Sequence, residues 1–340
     1  MQILTLDLSN TDTVPREVIS GDQPVIMRGL ASHWPLTIKS GISNDAVFDY
    51  LLSFYNGKTT LASWGASKDK GRFFYKEDLS GLNYTTARMP IDKVFEEIKK
   101  SISDENHDNY YIPSNPSETH FPGFMQENTI RLPANQDADS TELKIVPNLW
   151  IGAKTTATCH YDLHKNVACC TTGQRKFTLF PPEQGKNLYP GPFEITPGGP
   201  VISMVDFTAP NLAQHPRFAH ALKVAQEVIL YPGDAIYIPP LWWHHVEGMA
   251  AFNILVNYWW DEAPPYLGSP MNALHHAMLS IRDRSESEKQ AWKALFEYYV
   301  FADAEFSHAH LPEHAKGILA ELDENTARRL RALVIDRLNR

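Results

Sequence analysis

The run from about Glu142 to Trp260 constrains the fold more than any other part of the chain. Short apolar and β-branched segments, "NVACCTTG", "RKFTLF", "EVILY", "DAIYIP" and "FNILVNYWW", follow one another with Gly and Pro turns between them. "PGD" at Pro232 to Asp234 is one such turn. Segments this short, rich in Val, Ile, Thr and aromatics, read as strands rather than helices. Many short strands broken by turns close into a sandwich or barrel.

The flanks have a different character. Before about Ser140, strands and helices mix: "QPVIMRGL" reads as a strand, and "NDAVFDYLLSFY" as a helix capped at Asn44 or Asp45. "PIDKVFEEIKKSI" starts a helix at Pro90 and places Ile91, Val94, Phe95 and Ile98 on one face. After about Pro270 the pattern is helical, with a capping box at Ser285 and Glu288 and a second amphipathic helix in "DENTARRLRALVIDRLNR". The expected organisation is an α/β N-terminal portion over 1–140 packed on the barrel, a mainly β core of barrel or jelly-roll type over 141–262, and a helical C-terminal region over 263–340.

Within 340 residues, 43% are hydrophobic, enough to bury a core of this size. Acidic residues outnumber basic ones, 40 against 31, and no Lys/Arg block is present. A formal charge of -9 disfavours phosphate-backbone binding, so no nucleic-acid partner is expected. The 3 cysteines, Cys159, Cys169 and Cys170, form no CxxC pair, which argues against a disulfide framework or a structural zinc site. No signal-peptide pattern opens the chain and no apolar run spans a bilayer, so a soluble, cytoplasmic protein without membrane contact is expected.

Within the strand-rich core, His160 and Asp162 in "TCHYDLHKN" share one strand face, because side chains alternate along a strand. An isolated HxD is usually incidental. A third ligand from a later strand changes that, and "YIPPLWWHHVEG" offers His244 and His245. Two imidazoles and one carboxylate on one face of a metal leave positions open for a co-substrate and O2, the arrangement of non-haem Fe(II) oxygenases. Cys159 points to the opposite face and reads as a small buried hydrophobe.

The ordered set "HYDLHKN", "GQRKFTLFPPEQ", "LYPGP", "PGDAIYIPPLWWHHVEG" and "FNILVNYWW", with "PVIMRGLASHWPL" near the N-terminus, resembles the cupin-like branch of the JmjC-type oxygenases. It is most similar to the subgroup containing the asparaginyl hydroxylase that acts on the hypoxia-inducible factor. The resemblance implies a double-stranded β-helix that uses Fe(II) and 2-oxoglutarate. It places the third ligand at His244, with His245 facing away. Arg175 stands where the family often has a lysine for the distal carboxylate of the oxo-acid, and Lys176 would take its place if the strand were bulged. Asn166 and Asn257 match amides near the co-substrate, Trp259 an aromatic of the site wall, and Tyr111 a tyrosine that reaches the distal carboxylate. The family's threonine before the first ligand is Ala157 here. The resemblance also implies a homodimer through the C-terminal helices.

The expected function is therefore an Fe(II)- and 2-oxoglutarate-dependent dioxygenase, a hydroxylase whose prime substrate is a protein side chain or a small molecule. Two alternatives stand beside it. One is a cupin-type protein that binds a metal or small ligand without turnover. The other is a metal-dependent enzyme that needs no oxo-acid, for which Arg175 would be unnecessary.

Overall fold

A computed structural model describes residues 3–133 and 145–339. The expected boundary at residues 140 and 141 lies outside them. The chain divides into two compact units, Met1–Asp261 and Glu262–Arg340.

In the first unit the strands are β1 (Leu4–Asp7), β2 (Val25–Arg28), β3 (Thr59–Gly65), β4 (Arg72–Phe73), β5 (Tyr84–Pro90), β6 (Asn109–Pro116) and β7 (Asn148–Gly152). They continue as β8 (Thr156–Tyr161), β9 (Lys165–Thr172), β10 (Arg175–Phe180), β11 (Gln226–Leu230), β12 (Ala235–Ile238), β13 (Trp243–Gly248) and β14 (Asn253–Trp260). A nine-stranded sheet has the order β1-β2-β12-β9-β14-β7-β6-β3-β5, and a five-stranded sheet the order β11-β10-β13-β8-β4. The eight consecutive strands β7 to β14 are shared between them, β12-β9-β14-β7 in one and β11-β10-β13-β8 in the other. This is the double-stranded β-helix of cupins and jelly rolls. The N-terminal strands extend the larger sheet at both edges.

Alternation along the strands sorts side chains into three buried layers. Ala168, Cys170, Phe177, Leu179, Ile236, Val246 and Leu255 fill the space between the sheets. Val167, Cys169, Tyr237, Ile254, Val256 and Tyr258 point the other way and pack beneath the N-terminal helices. Cys159, Phe180 and Trp243 form a third cluster on the outer face of the smaller sheet, with Leu188, Val205 and Phe218.

The helix Ile91–Ser103 buries Ile91, Val94, Phe95 and Ile98, as its 3.6-residue spacing requires. The helix Asn44–Phe54 is capped by Ser43, whose hydroxyl accepts from the Ala46 amide, and not by Asn44 or Asp45. The cap falls one residue earlier because Ser43 takes the extended backbone that a capping residue needs.

The second unit is helical. The helix Glu286–Phe296 opens with the Ser285–Glu288 capping box, and the last helix, Glu324–Leu338, with Asp323 as cap. Among the described residues no helix is long and apolar enough to cross a membrane.

Candidate metal and co-substrate site

His160 lies near the end of β8 and Asp162 in the turn that follows it. His244 is the second residue of β13 and pairs directly with His160 across the sheet. The Leu241 amide donates to the Asp162 carbonyl at 2.8 Å, tying the Asp162 turn to the segment that delivers His244. Between His244 and Val246 the register shifts, so that Val246 faces Ala157. This bulge lets His160 and Ala157 both face the interior, although regular alternation would separate them.

The ring of His160 donates from Nδ1 to the Thr158 carbonyl at 2.8 Å, and that of His244 from Nδ1 to the Trp242 carbonyl at 3.0 Å. A carbonyl only accepts, so in both rings the hydrogen sits on Nδ1 and Nε2 keeps its lone pair. The His244 Nε2 lies 3.5 Å from one Asp162 oxygen and the His160 Nε2 4.0 Å from the other. The donor atoms of all three residues fall within 4.8 Å of one another. Two imidazole lone pairs and a carboxylate facing one another repel unless a cation lies between them, so the donor set fits a metal ion.

Burial, then the neighbouring His244, lowers the His160 imidazole to about 4. Burial raises the Asp162 carboxyl, but His244 and His160, which attract the carboxylate whenever they carry a proton at Nε2, and the nearby Trp259 indole outweigh it and hold it at about 2. Both groups thus keep the protonation state that a metal ligand requires.

His245 points out of the barrel and stacks on Phe207 with ring centroids 4.5 Å apart. Among the described residues neither of its ring nitrogens has a hydrogen-bond partner. Burial, then the positive Arg72, pushes its imidazole down to about 3. The unfolded chain therefore binds a proton below pH ~6.5 that the folded chain refuses until about 3. Stability falls over that window as pH falls. His245→Leu should remove ~1.4 kcal/mol per pH unit from the acid limb, measured by denaturant unfolding between pH 4 and 6.5. An unchanged slope would count against this environment for His245.

The other expected residues also face the interior. Arg175 is buried, with a long hydrogen bond from Nη2 to the Trp150 carbonyl at 3.5 Å and, among the described residues, no partner at Nε. Among the described residues no carboxylate pairs with it. Burial raises the Tyr111 hydroxyl to about 12, while the adjacent Arg175 opposes the rise, so Tyr111 stays a neutral donor. Lys176 faces outward and pairs with Glu227 at 2.8 Å. β10 runs in unbroken register with β11 and β13, so no bulge exchanges Arg175 and Lys176.

Asn166 and Asn257 are buried and bonded to each other, Asn257 Nδ2 donating to Asn166 Oδ1 at 3.2 Å. Trp259 packs edge-on against Trp150 at 5.5 Å. Ala157 brings no hydroxyl, and the neighbouring Thr158 spends its own on the Phe73 carbonyl at 3.4 Å.

The family model described as a cupin-like domain matches residues 11–266, most of the chain. The chain belongs to the cupin-like family.

Some of its relatives carry Jumonji or JmjC names. The Arabidopsis thaliana protein named lysine-specific demethylase JMJ31 is 39% identical over 115 residues, 34% of this chain and 20% of the relative. The human HSPB1-associated protein 1 is 30% identical over 150 residues, 42% of this chain and 30% of the relative. The Drosophila melanogaster Jumonji C domain-containing protein 5 is 24% identical over 257 residues, 75% of this chain and 59% of the relative. The chain therefore spans from 20% to 59% of the length of these relatives.

Sequence reasoning missed three contributors to this cupin-like site. Trp150 stands between Tyr111 and Trp259. Phe73 stacks on Tyr111 at 5.7 Å from a strand of two residues. Gly152 leaves room for the tyrosine, since a Cβ there would lie 2.6 Å from its ring. Only the glycine in "LWIG" left a trace in the sequence, and that trace does not identify its neighbour.

Proposed function

We propose that the chain is an Fe(II)- and 2-oxoglutarate-dependent oxygenase that hydroxylates its prime substrate. The observation that carries this is the buried Arg175, which has no acidic partner among the described residues, in the same barrel interior as the converging His160, Asp162 and His244 donors. A buried guanidinium without an anion is costly, by several kcal/mol, and a dicarboxylate co-substrate supplies the missing anion. Iron bound there would couple decarboxylation of 2-oxoglutarate by O2, giving succinate and CO2, to insertion of the second oxygen atom into a C–H bond of the substrate.

The chain's own residues have separable tasks. Nε2 of His160, Nε2 of His244 and the Asp162 carboxylate hold the metal. Arg175 grips the distal carboxylate of the oxo-acid with parallel N–H donors, and the neutral Tyr111 hydroxyl adds a third. Asn166 and Asn257 order the floor between these groups. Phe73, Trp150 and Trp259 line the interior and keep water from the co-substrate. Two relatives are named lysine-specific demethylases, which supports a protein side chain as prime substrate. The net charge of -9 favours a cationic one.

The test is succinate release from 2-oxoglutarate with added Fe(II) and ascorbate, first without prime substrate and then with candidate peptides. Release that depends on Fe(II) supports the oxygenase. Metal binding with no 2-oxoglutarate consumption would leave the ligand-binding cupin in its place.

Assembly as a homodimer belongs to the same reading. On the helix Glu324–Leu338, Leu333, Val334 and Leu338 are exposed at helical spacing, beside a half-buried Leu330. An apolar stripe on the last helix suits a second copy of itself. Deleting the chain after Leu322 should convert dimers to monomers in sedimentation velocity at micromolar concentration. Full-length protein that is already monomeric there would remove the dimer.

A further inference from the structure

A continuous chain of hydrogen bonds leads from Trp150 to the metal-facing carboxylate. The Trp150 indole donates from Nε1 to Asn257 Oδ1 at 2.7 Å. Asn257 Nδ2 donates to Asn166 Oδ1 at 3.2 Å, and Asn166 Nδ2 donates to Asp162 Oδ2 at 3.4 Å. Both amides are buried, Asn257 at 1% and Asn166 at 5% exposure, so no solvent competes for their polar atoms.

The polarity of this chain is set alike at both ends, because the ionised Asp162 carboxylate can only accept. An amide can flip and exchange its donor for its acceptor, so Asn257 and Asn166 have no intrinsic orientation. An indole N–H can only donate. It therefore binds the Asn257 oxygen, which turns the Asn257 nitrogen towards Asn166. Asn166 must then offer its oxygen to Asn257 and its nitrogen to Asp162. Without the indole hydrogen the buried Asn257 oxygen loses its donor, Asn257 is free to turn over, and Asn166 is held from the Asp162 side alone. The Trp150 carbonyl meanwhile accepts from Arg175, so one residue touches the basic end of the pocket and orients its acidic end.

We propose that Trp150 is a positioning residue: its indole N–H anchors Asn257, which braces Asn166 against the Asp162 carboxylate and thereby holds that carboxylate in its metal-binding pose. This rests on the metal site described above.

The test uses full-length protein and Co(II), followed by visible absorption without oxo-acid or substrate. Trp150→Phe keeps the ring and removes the N–H. It should weaken Co(II) binding about tenfold or more, as loss of an outer partner of a metal ligand does, and shift the ligand-field bands of the bound ion. Asn257→Ala should do the same by itself, which keeps the question open to measurement if Trp150→Phe folds poorly. In the Asn257→Ala background, Trp150→Phe should change Co(II) affinity by less than about twofold, because the two act through one path. Wild-type affinity in Trp150→Phe, or an equal loss in both backgrounds, would overturn the relay. A wild-type protein that binds no Co(II), or an Asp162→Ala variant that still binds it, would instead remove the metal site and the relay with it.

Discussion

Asp162→Ala, His160→Ala and His244→Ala are each expected to abolish metal-dependent succinate formation, while His245→Ala keeps it. The three interior residues offer lone pairs to one point, and each histidine is locked by a backbone carbonyl at Nδ1 so that Nε2 alone is free. Removing any one leaves two ligands on a cation that needs three protein donors. The loss should exceed the ~100-fold that can follow removal of an outer partner. His245 is its neighbour in sequence but sits in another layer, stacked on Phe207. Its removal leaves a cavity and lowers stability without touching the interior. Metal content by elemental analysis and succinate formation should fall together in the three interior variants. An inactive His245→Ala beside an active His244→Ala would reverse the ligand assignment.

Strand alternation explains how much of this site could be read in advance. Once β8, β10, β13 and β14 are seen as strands, Arg175 falls on the same face as Phe177 and Leu179, and Lys176 on the other. His244 and His245 separate by the same rule. The rule fails where a strand is bulged. His160 and Ala157 lie on one face only because the β8 register shifts, and nothing in "TATCHYD" announces the shift. The unbroken pairing of β10 is likewise a property of its neighbours β11 and β13, not of its own residues.

Local helix signals were legible for a different reason. The face of Ile91–Ser103 is set by spacing within one turn, and the Ser285–Glu288 box by two residues close in the chain. Trp150 was illegible because its partner Asn257 is 107 positions away. In the sequence it is one more aromatic in an apolar strand, and only closure of the barrel shows where its N–H points. Phe73 is hidden similarly, in a two-residue strand too short to carry any periodicity.

Arg175 provides the second large effect. If it anchors the distal carboxylate of 2-oxoglutarate, truncating it strands a charged group in a confined interior. Breaking one side of a buried charge pair costs roughly 3–5 kcal/mol, which is on the order of a hundredfold or more in affinity. Arg175→Ala should therefore raise the 2-oxoglutarate requirement by at least that order, while metal binding persists on the untouched triad. Arg175→Lys should recover part of the loss, since lysine restores charge without the planar fork. Lys176→Ala should change little, because its pair with Glu227 is half-exposed and such pairs contribute about 0–1 kcal/mol. The measurement is a 2-oxoglutarate titration of succinate formation in the three variants. A large effect at Lys176 with none at Arg175 would place the co-substrate on the other face of β10, and no effect at either would point to a co-substrate that is not a dicarboxylic oxo-acid. Stability separates an anchoring arginine from a structural one. Without ligand, Arg175 is a buried charge with no acidic partner among the described residues, so Arg175→Met should leave the ligand-free protein as stable as wild type or more so. A structural arginine would instead lower the melting temperature when replaced, whether or not the oxo-acid was present.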